Sequence, residues 1–216
     1  PQMHLTFPTG LTGGKEIIGK DLRSELVADG IPVDFVQQDV ADGALAFKDW
    51  DAPIACSDDS ACPGGYACVG GTCAGKPCTM DDDLTVCEGP SYCDRHNGAV
   101  CNRPIPVVAS PQMLEVYNSS VHTALSGLGG AVSKLPKLSE RALIGVGADV
   151  YLGRSFFLGA SADGEPVRRR IQLVGFSNKA INFGATMPIE YVRRYNQRFN
   201  PTKGGKDEYH SIVVVT

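Results

Sequence analysis

Apolar residues recur along this chain in two rhythms, alternating and four-residue, and one stretch has neither. In residues 1 to 55, MHLTF alternates and reads as a strand, followed by a Gly-rich turn at Thr9 to Gly14. Ile18, Leu22 and Leu26 then fall at four-residue spacing, which predicts a helix stopped by Gly30. IPVDFV sets Ile31, Val33 and Phe35 on one side of a second strand. From Val40 to Ala55 the periodicity is lost, and it returns only after residue 101. There PIPVVAS predicts a strand ending at Ser110, an N-cap for a helix with Pro111 at its first position and Leu114, Tyr117, Val121 and Leu125 as its stripe. Gly127 to Gly130 end that helix. A short helix is expected at Ser139 to Leu143, and strands at Phe156 to Ala160 and Val167 to Phe176. Pro188 opens a last helix with Ile189, Val192, Tyr195 and Phe199 inward and Glu190 four residues before Arg194. SIVVVT reads as a buried strand, a pattern that leads us to expect more chain beyond it. Outside the unpatterned stretch the chain thus reads as strands and helices.

The unpatterned middle is explained by cysteine. All eight, Cys56, Cys62, Cys68, Cys73, Cys78, Cys87, Cys93 and Cys101, lie within residues 56 to 101, a stretch rich in Gly, Asp and Ser. Such a segment cannot fold around a core, so cross-links must replace burial, each contributing about 2 to 4 kcal/mol. The intervals run 5, 5, 4, 4, 8, 5 and 7 residues, with no CxxC knuckle, which disfavours zinc. Four disulfides are expected; of the 105 connectivities open to eight cysteines, we favour Cys56–Cys68 and Cys62–Cys73 as local pairs and leave the others open. Disulfides place the chain outside the cytoplasm. The division is therefore residues 1–55 as an N-terminal strand-helix-strand part of the core, 56–101 as a small, loop-dominated, disulfide-rich insertion, and 102–216 as the main α+β lobe.

Charge and motifs narrow the function. A net charge of −4 carries no basic footprint for nucleic acid, and the longest uncharged stretch, Val116 to Ser133, is too polar to span a bilayer. No signal peptide opens the sequence, so the export or anchoring signal is expected outside these residues. GLTGGKE at Gly10 to Glu16 lacks the first glycine and the Ser/Thr of a phosphate loop, and is read as a turn. Asp81, Asp82 and Asp83 lack calcium-loop spacing, and His4, His96, His122 and His210 are scattered. Arg168, Arg169 and Arg170, with Arg193, Arg194 and Arg198, are read as solvated faces, and the Asn118-Ser119-Ser120 sequon falls inside a helix. No catalytic, cofactor-binding or metal-binding residue is nominated, no cofactor is expected, and the chain is read as no enzyme.

One further pattern lies in the order of segments. VVASPQMLEVYN, LPKLSERALIGVGADVYLGRSFFLG, RRRIQLVGFSNKAINFGATMPIEYVRRYN and YHSIVVVT contain an LG.S step at Leu152 to Ser155, VGF at Val174 to Phe176, MPIEYV at Met187 to Val192 and SIVVV at Ser211 to Val215. This order resembles the extracytoplasmic domain of MacB/FtsX-type ABC transporter permeases over about half the chain, with the cysteine block as an added insertion. The resemblance implies an α+β fold, a mixed sheet with packed helices, as the MacB-like periplasmic core of a bacterial inner-membrane protein, non-catalytic, that couples cytoplasmic ATP hydrolysis to export, lipoprotein release or a periplasmic partner. It implies as partners a second permease protomer, a cytoplasmic ABC ATPase, and a periplasmic adaptor, lipoprotein or cell-wall protein. It also implies that the domain continues past Thr216. The competing reading is a secreted or surface-anchored cysteine-rich binding module.

Overall fold

The computed structural model describes residues 2–6, 23–40, 43–79, 85–121, 138–152 and 167–199. In chain order the strands are β1 (Gln2–Thr6), β2 (Arg23–Ile31), β3 (Tyr66–Val69), β4 (Thr72–Gly75), β5 (Tyr92–Asp94), β6 (Val100–Asn102), β7 (Ile105–Ala109), β8 (Gly147–Leu152), β9 (Val167–Phe176) and β10 (Gly184–Pro188). The helices are α1 (Pro111–Val116), α2 (Glu140–Leu143) and α3 (Ile189–Phe199).

Six strands close into a barrel in the order β1-β2-β10-β7-β9-β8. β2 with β10 and β7 with β9 run parallel, and the other neighbours antiparallel, so the sheet is mixed. The fold is α+β, with a disulfide-stapled loop region set between β2 and β7 in the chain, and the barrel takes strands from both sides of that region.

Strand alternation fixes which side chains meet inside. In β9 Val167, Ile171 and Leu173 join one apolar cluster with Ile105, Val107, Val150, Leu152 and Met187, while Val174 faces a second cluster with Val36, Phe47 and Val108. β7 is buried throughout, so alternation sends the consecutive Val107 and Val108 to the two clusters, while its register with β9 slips by one between them, at Val174. Tyr191, Tyr195 and Phe199, four residues apart on α3, cover the first cluster. Gly30 gives that helix room, since a Cβ there would lie 2.7 Å from Val192 Cγ2.

Several expected elements differ. The helix predicted through Leu26 to Gly30 is β2 there, because β1 and β10 both bond to it; its earlier positions lie outside the described residues. IPVDFV is no strand: Ile31 ends β2, Pro32 offers no N–H, and Val33–Val36 form a 3-10 turn. The Ser110 N-cap is present, its side chain accepting from Gln112 N. Leu114 and Tyr117 of the expected stripe are only half-buried, however, and the helix passes into a π turn at Tyr117–Val121. Asn118 bonds both polar groups to the Leu138 backbone (2.8 and 2.9 Å). α2 forms with Ser139 as N-cap. Two barrel strands, β8 and β10, and the short hairpin strands β3 to β6 of the cystine block were not foreseen. Thr9 to Gly14, Leu125, Gly127 to Gly130, Phe156 to Ala160, SIVVVT and Asp81 to Asp83 lie outside the described residues.

Thr186 joins two of these strands. It is fully buried, donates from Oγ1 to Asp29 Oδ1 and accepts from Ile181 N at 3.0 Å. Thr186→Val keeps the shape but strands both partners, so denaturant titration should show a loss of about 1 to 3 kcal/mol.

Candidate coupling site at the base of the cystine block

All four disulfides are local: Cys56–Cys68, Cys62–Cys73, Cys78–Cys93 and Cys87–Cys101. The first two are the pairs favoured from spacing. The sulfurs of Cys56, Cys62 and Cys73, and of Cys78, Cys87 and Cys101, lie within 4.8 Å of one another. Bridging explains those groupings, and a cystine sulfur is no thiolate ligand.

The block meets the barrel where β9 carries an arginine inside. Val167, Arg169, Ile171 and Leu173 share one side of the strand, so alternation drives the Arg169 guanidinium inward, its side chain 8% exposed. Asp51, five residues before the first cysteine, takes it in a two-pronged pair, Nη1 to Oδ2 at 2.8 Å and Nη2 to Oδ1 at 3.0 Å. Arg169 also donates to Tyr195 Oη at 3.1 Å and to Arg103 O at 3.4 Å. Burial alone would ease the proton off this guanidinium, but Asp51, Tyr195 and Tyr92 outweigh it and hold the group charged.

Segment 49–51 is tied to α3 as well. Arg194 donates to Asp49 Oδ2 at 2.6 Å and reaches Asp51 Oδ2 at 3.5 Å, and Trp50 N donates to Tyr191 Oη at 3.0 Å. Asp49 Oδ1 turns the segment by accepting Asp51 N at 3.1 Å. The Trp50 ring lies under Lys48 Nζ at 3.9 Å and the Arg103 guanidinium at 4.0 Å, which ties it to the link between β6 and β7.

A second set of contacts holds the far hairpin, β5 and β6, against β9. Tyr92 Oη accepts Arg170 N at 3.1 Å, Asn97 Nδ2 donates to Arg168 O at 2.9 Å, and His96 touches the Arg168 guanidinium. Arg168 and Arg170 both pair with Asp149 on β8, at 2.7 and 3.2 Å. Asp94, buried, accepts from Asn97 and Asn102.

Two spaces open here. One, of about 10 Å³ between Tyr92, His96, Asp149 and Arg168, has room for a single water at most. The other is an open cleft of about 340 Å³ bounded by Trp50, Pro53, Ile54, Tyr66 and Asn102.

The arginines read as solvated faces are thus corrected in part: Arg169 is buried, Arg168 and Arg170 are shared by Asp149, and Arg194 turns to Asp49 and Asp51. Asp49, Asp51, Arg103 and Tyr191 were missed altogether. The signal for Arg169 was legible in VxRxIxL; nothing in the aperiodic 40–55 stretch marked its partner.

The tyrosines make the site alkali-sensitive. Burial, with Asp94 adding and Arg169 opposing, pushes the Tyr92 hydroxyl up to about 12. Burial likewise raises Tyr191 well above its usual value and raises Tyr195 and Tyr66. A raised folded value means that the native state holds its proton longer than the unfolded chain. This stability is fully present below about pH 10 and is lost as pH climbs through the folded value. Tyr92 alone should account for about 2 to 3 kcal/mol between pH 10 and 12; unfolding measured across that window should flatten in Tyr92→Phe.

Comparison with protein-family models, with curated proteins and with solved structures finds no match to this chain.

Proposed function

We propose that this chain is a non-catalytic extracytoplasmic domain of an ABC transporter permease, a rigid relay between a membrane-embedded part and a partner met by the cystine block. The order of segments described above supports the reading. The observation that carries it is the clamp: Asp49 and Asp51, at the foot of the block, hold Arg169 on β9 and Arg194 on α3. These are the RRRIQLVGF strand and MPIEYVRRYN helix on which the resemblance rests. A domain that passes motion outward needs a joint that does not give, and a forked, buried ion pair fixes one geometry where apolar contacts permit sliding. ATP hydrolysis belongs to a separate cytoplasmic ATPase, and the output is export, lipoprotein release or control of a periplasmic partner.

The test is to read the coding sequence on both sides of this chain. Apolar spans of about 20 residues, one before Pro1 and several after Thr216, support the permease. A cleavable signal peptide with no other span overturns it in favour of a secreted cysteine-rich binding module.

A further inference from the structure

The two halves of the cystine block share one plan. In Cys56, Cys62, Cys68 and Cys73 the first bonds the third and the second bonds the fourth; Cys78, Cys87, Cys93 and Cys101 do the same. Four cysteines allow three connectivities, so agreement in this alone has a chance of about one in three. The placement agrees too. Each half carries a two-stranded hairpin in which the third and fourth cysteines stand opposite each other, Cys68 with Cys73 and Cys93 with Cys101. Second and third cysteines are separated by five intervening residues in both halves, PGGYA and EGPSY. Sulfurs of the first, second and fourth positions crowd together in both.

The halves differ where the second reaches the barrel. Its hairpin connection is longer and supplies His96 and Asn97, and Tyr92 occupies the place held by Ala67 in the first. The first half instead turns on Gly70 and Gly71 at positive φ, with Val69 beside them 64% exposed. Its cysteines are partly exposed, whereas those of the second are 1 to 7% exposed. The first half leans on the second through Ser91 Oγ to Gly64 O (2.8 Å) and Cys101 N to Lys76 O (2.8 Å), and Tyr66 Oη accepts from Arg103 N (3.1 Å).

We infer that residues 56–101 are two copies of one four-cysteine module with divided labour. The second copy is the mount, adapted to grip β9, and the first is a projecting head that closes its own two bridges and can be opened without unseating the mount. This holds whichever partner the domain serves.

Limited reduction of the native chain with a dithiol, followed by alkylation and peptide mapping, tests it. Cys56–Cys68 and Cys62–Cys73 should open first, with Cys78–Cys93 and Cys87–Cys101 roughly ten-fold or more slower, because attack on a buried bridge waits for local opening. The half-reduced species should keep hydrogen-exchange protection at Arg170 N. In a second arm, Cys56→Ser, Cys62→Ser, Cys68→Ser and Cys73→Ser combined should leave the other two native bridges formed. Four bridges opening together, the buried pair opening first, or scrambled pairing of Cys78, Cys87, Cys93 and Cys101 in the variant would each show a single knot.

Discussion

Asp51→Ala is expected to lower the free energy of unfolding by about 3 to 5 kcal/mol, enough to drop the melting temperature by roughly 10 °C. The cost is the charge left behind. Arg169 sits 8% exposed on the inward side of β9, and without Asp51 it keeps neutral partners, the Tyr195 hydroxyl, the Arg103 carbonyl and the Tyr92 hydroxyl. Arg169→Met should cost distinctly less. Asp51 is more exposed, at 18%, and still has Arg194 3.5 Å away, while the thioether suits the apolar face it would join. Thermal melts of both single variants and the double settle the matter: a double variant more stable than Asp51→Ala identifies the stranded cation as the cause. An Asp51→Ala loss below about 1 kcal/mol would class the pair with ordinary surface ion pairs and remove the rigid joint from the proposed relay.

Gly75→Ala should be nearly as damaging, through backbone rather than charge. A Cβ at Gly75 would stand 2.0 Å from the Cys101 carbonyl oxygen, with Cys101 C and N behind it at 3.1 and 3.4 Å. No rotamer change relieves a clash with main chain. β4 must separate from β6, breaking the Cys101 N to Lys76 O bond of 2.8 Å and opening the contact between the two halves of the block. The expected loss is about 3 kcal/mol, the upper part of the overpacking range. Hydrogen exchange should place it at Cys101 N and Lys76 N, with the barrel amides of β8 and β9 retained. A variant within 0.5 kcal/mol of the parent, the scatter of ordinary surface changes, would show that the two hairpins are not seated as described.

Legibility from sequence followed how local the causes are. β7 with its Ser110 cap, β9 and α3 were readable because cap, proline and period act within a few residues. The two favoured disulfides were readable for the same reason, since each bridge spans 11 or 12 residues. β2 was misread because its hydrogen bonds go to β1 and to β10, far along the chain, and the latter partner overrides the spacing of Leu26. β10, GATMP, is too small-sided and too short to signal a strand, and its glycine is required: a Cβ at Gly184 would meet Val27 O at 2.3 Å. The site was half visible. Arg169 occupies an apolar register and could have been flagged, whereas Asp49 and Asp51 owe their role to where residues 47–55 come to rest.

The barrel draws its strands from both sides of the cystine block, and this sets an order of assembly. During synthesis the N-terminal residues appear first. Each bridge links cysteines 11 to 15 positions apart, so every cysteine finds its partner soon after it emerges. Asp29 and Thr186, which join β2 to β10, are separated by 157 positions, and such distant pairing is intrinsically slow. A chain in which β1 and β2 had paired before β7, β8, β9 and β10 arrived would present them as edges open to any other strand. A block already cross-linked shortens the free chain that must be searched before the barrel closes. Delayed oxidation would therefore lengthen the time for which those edges stay open.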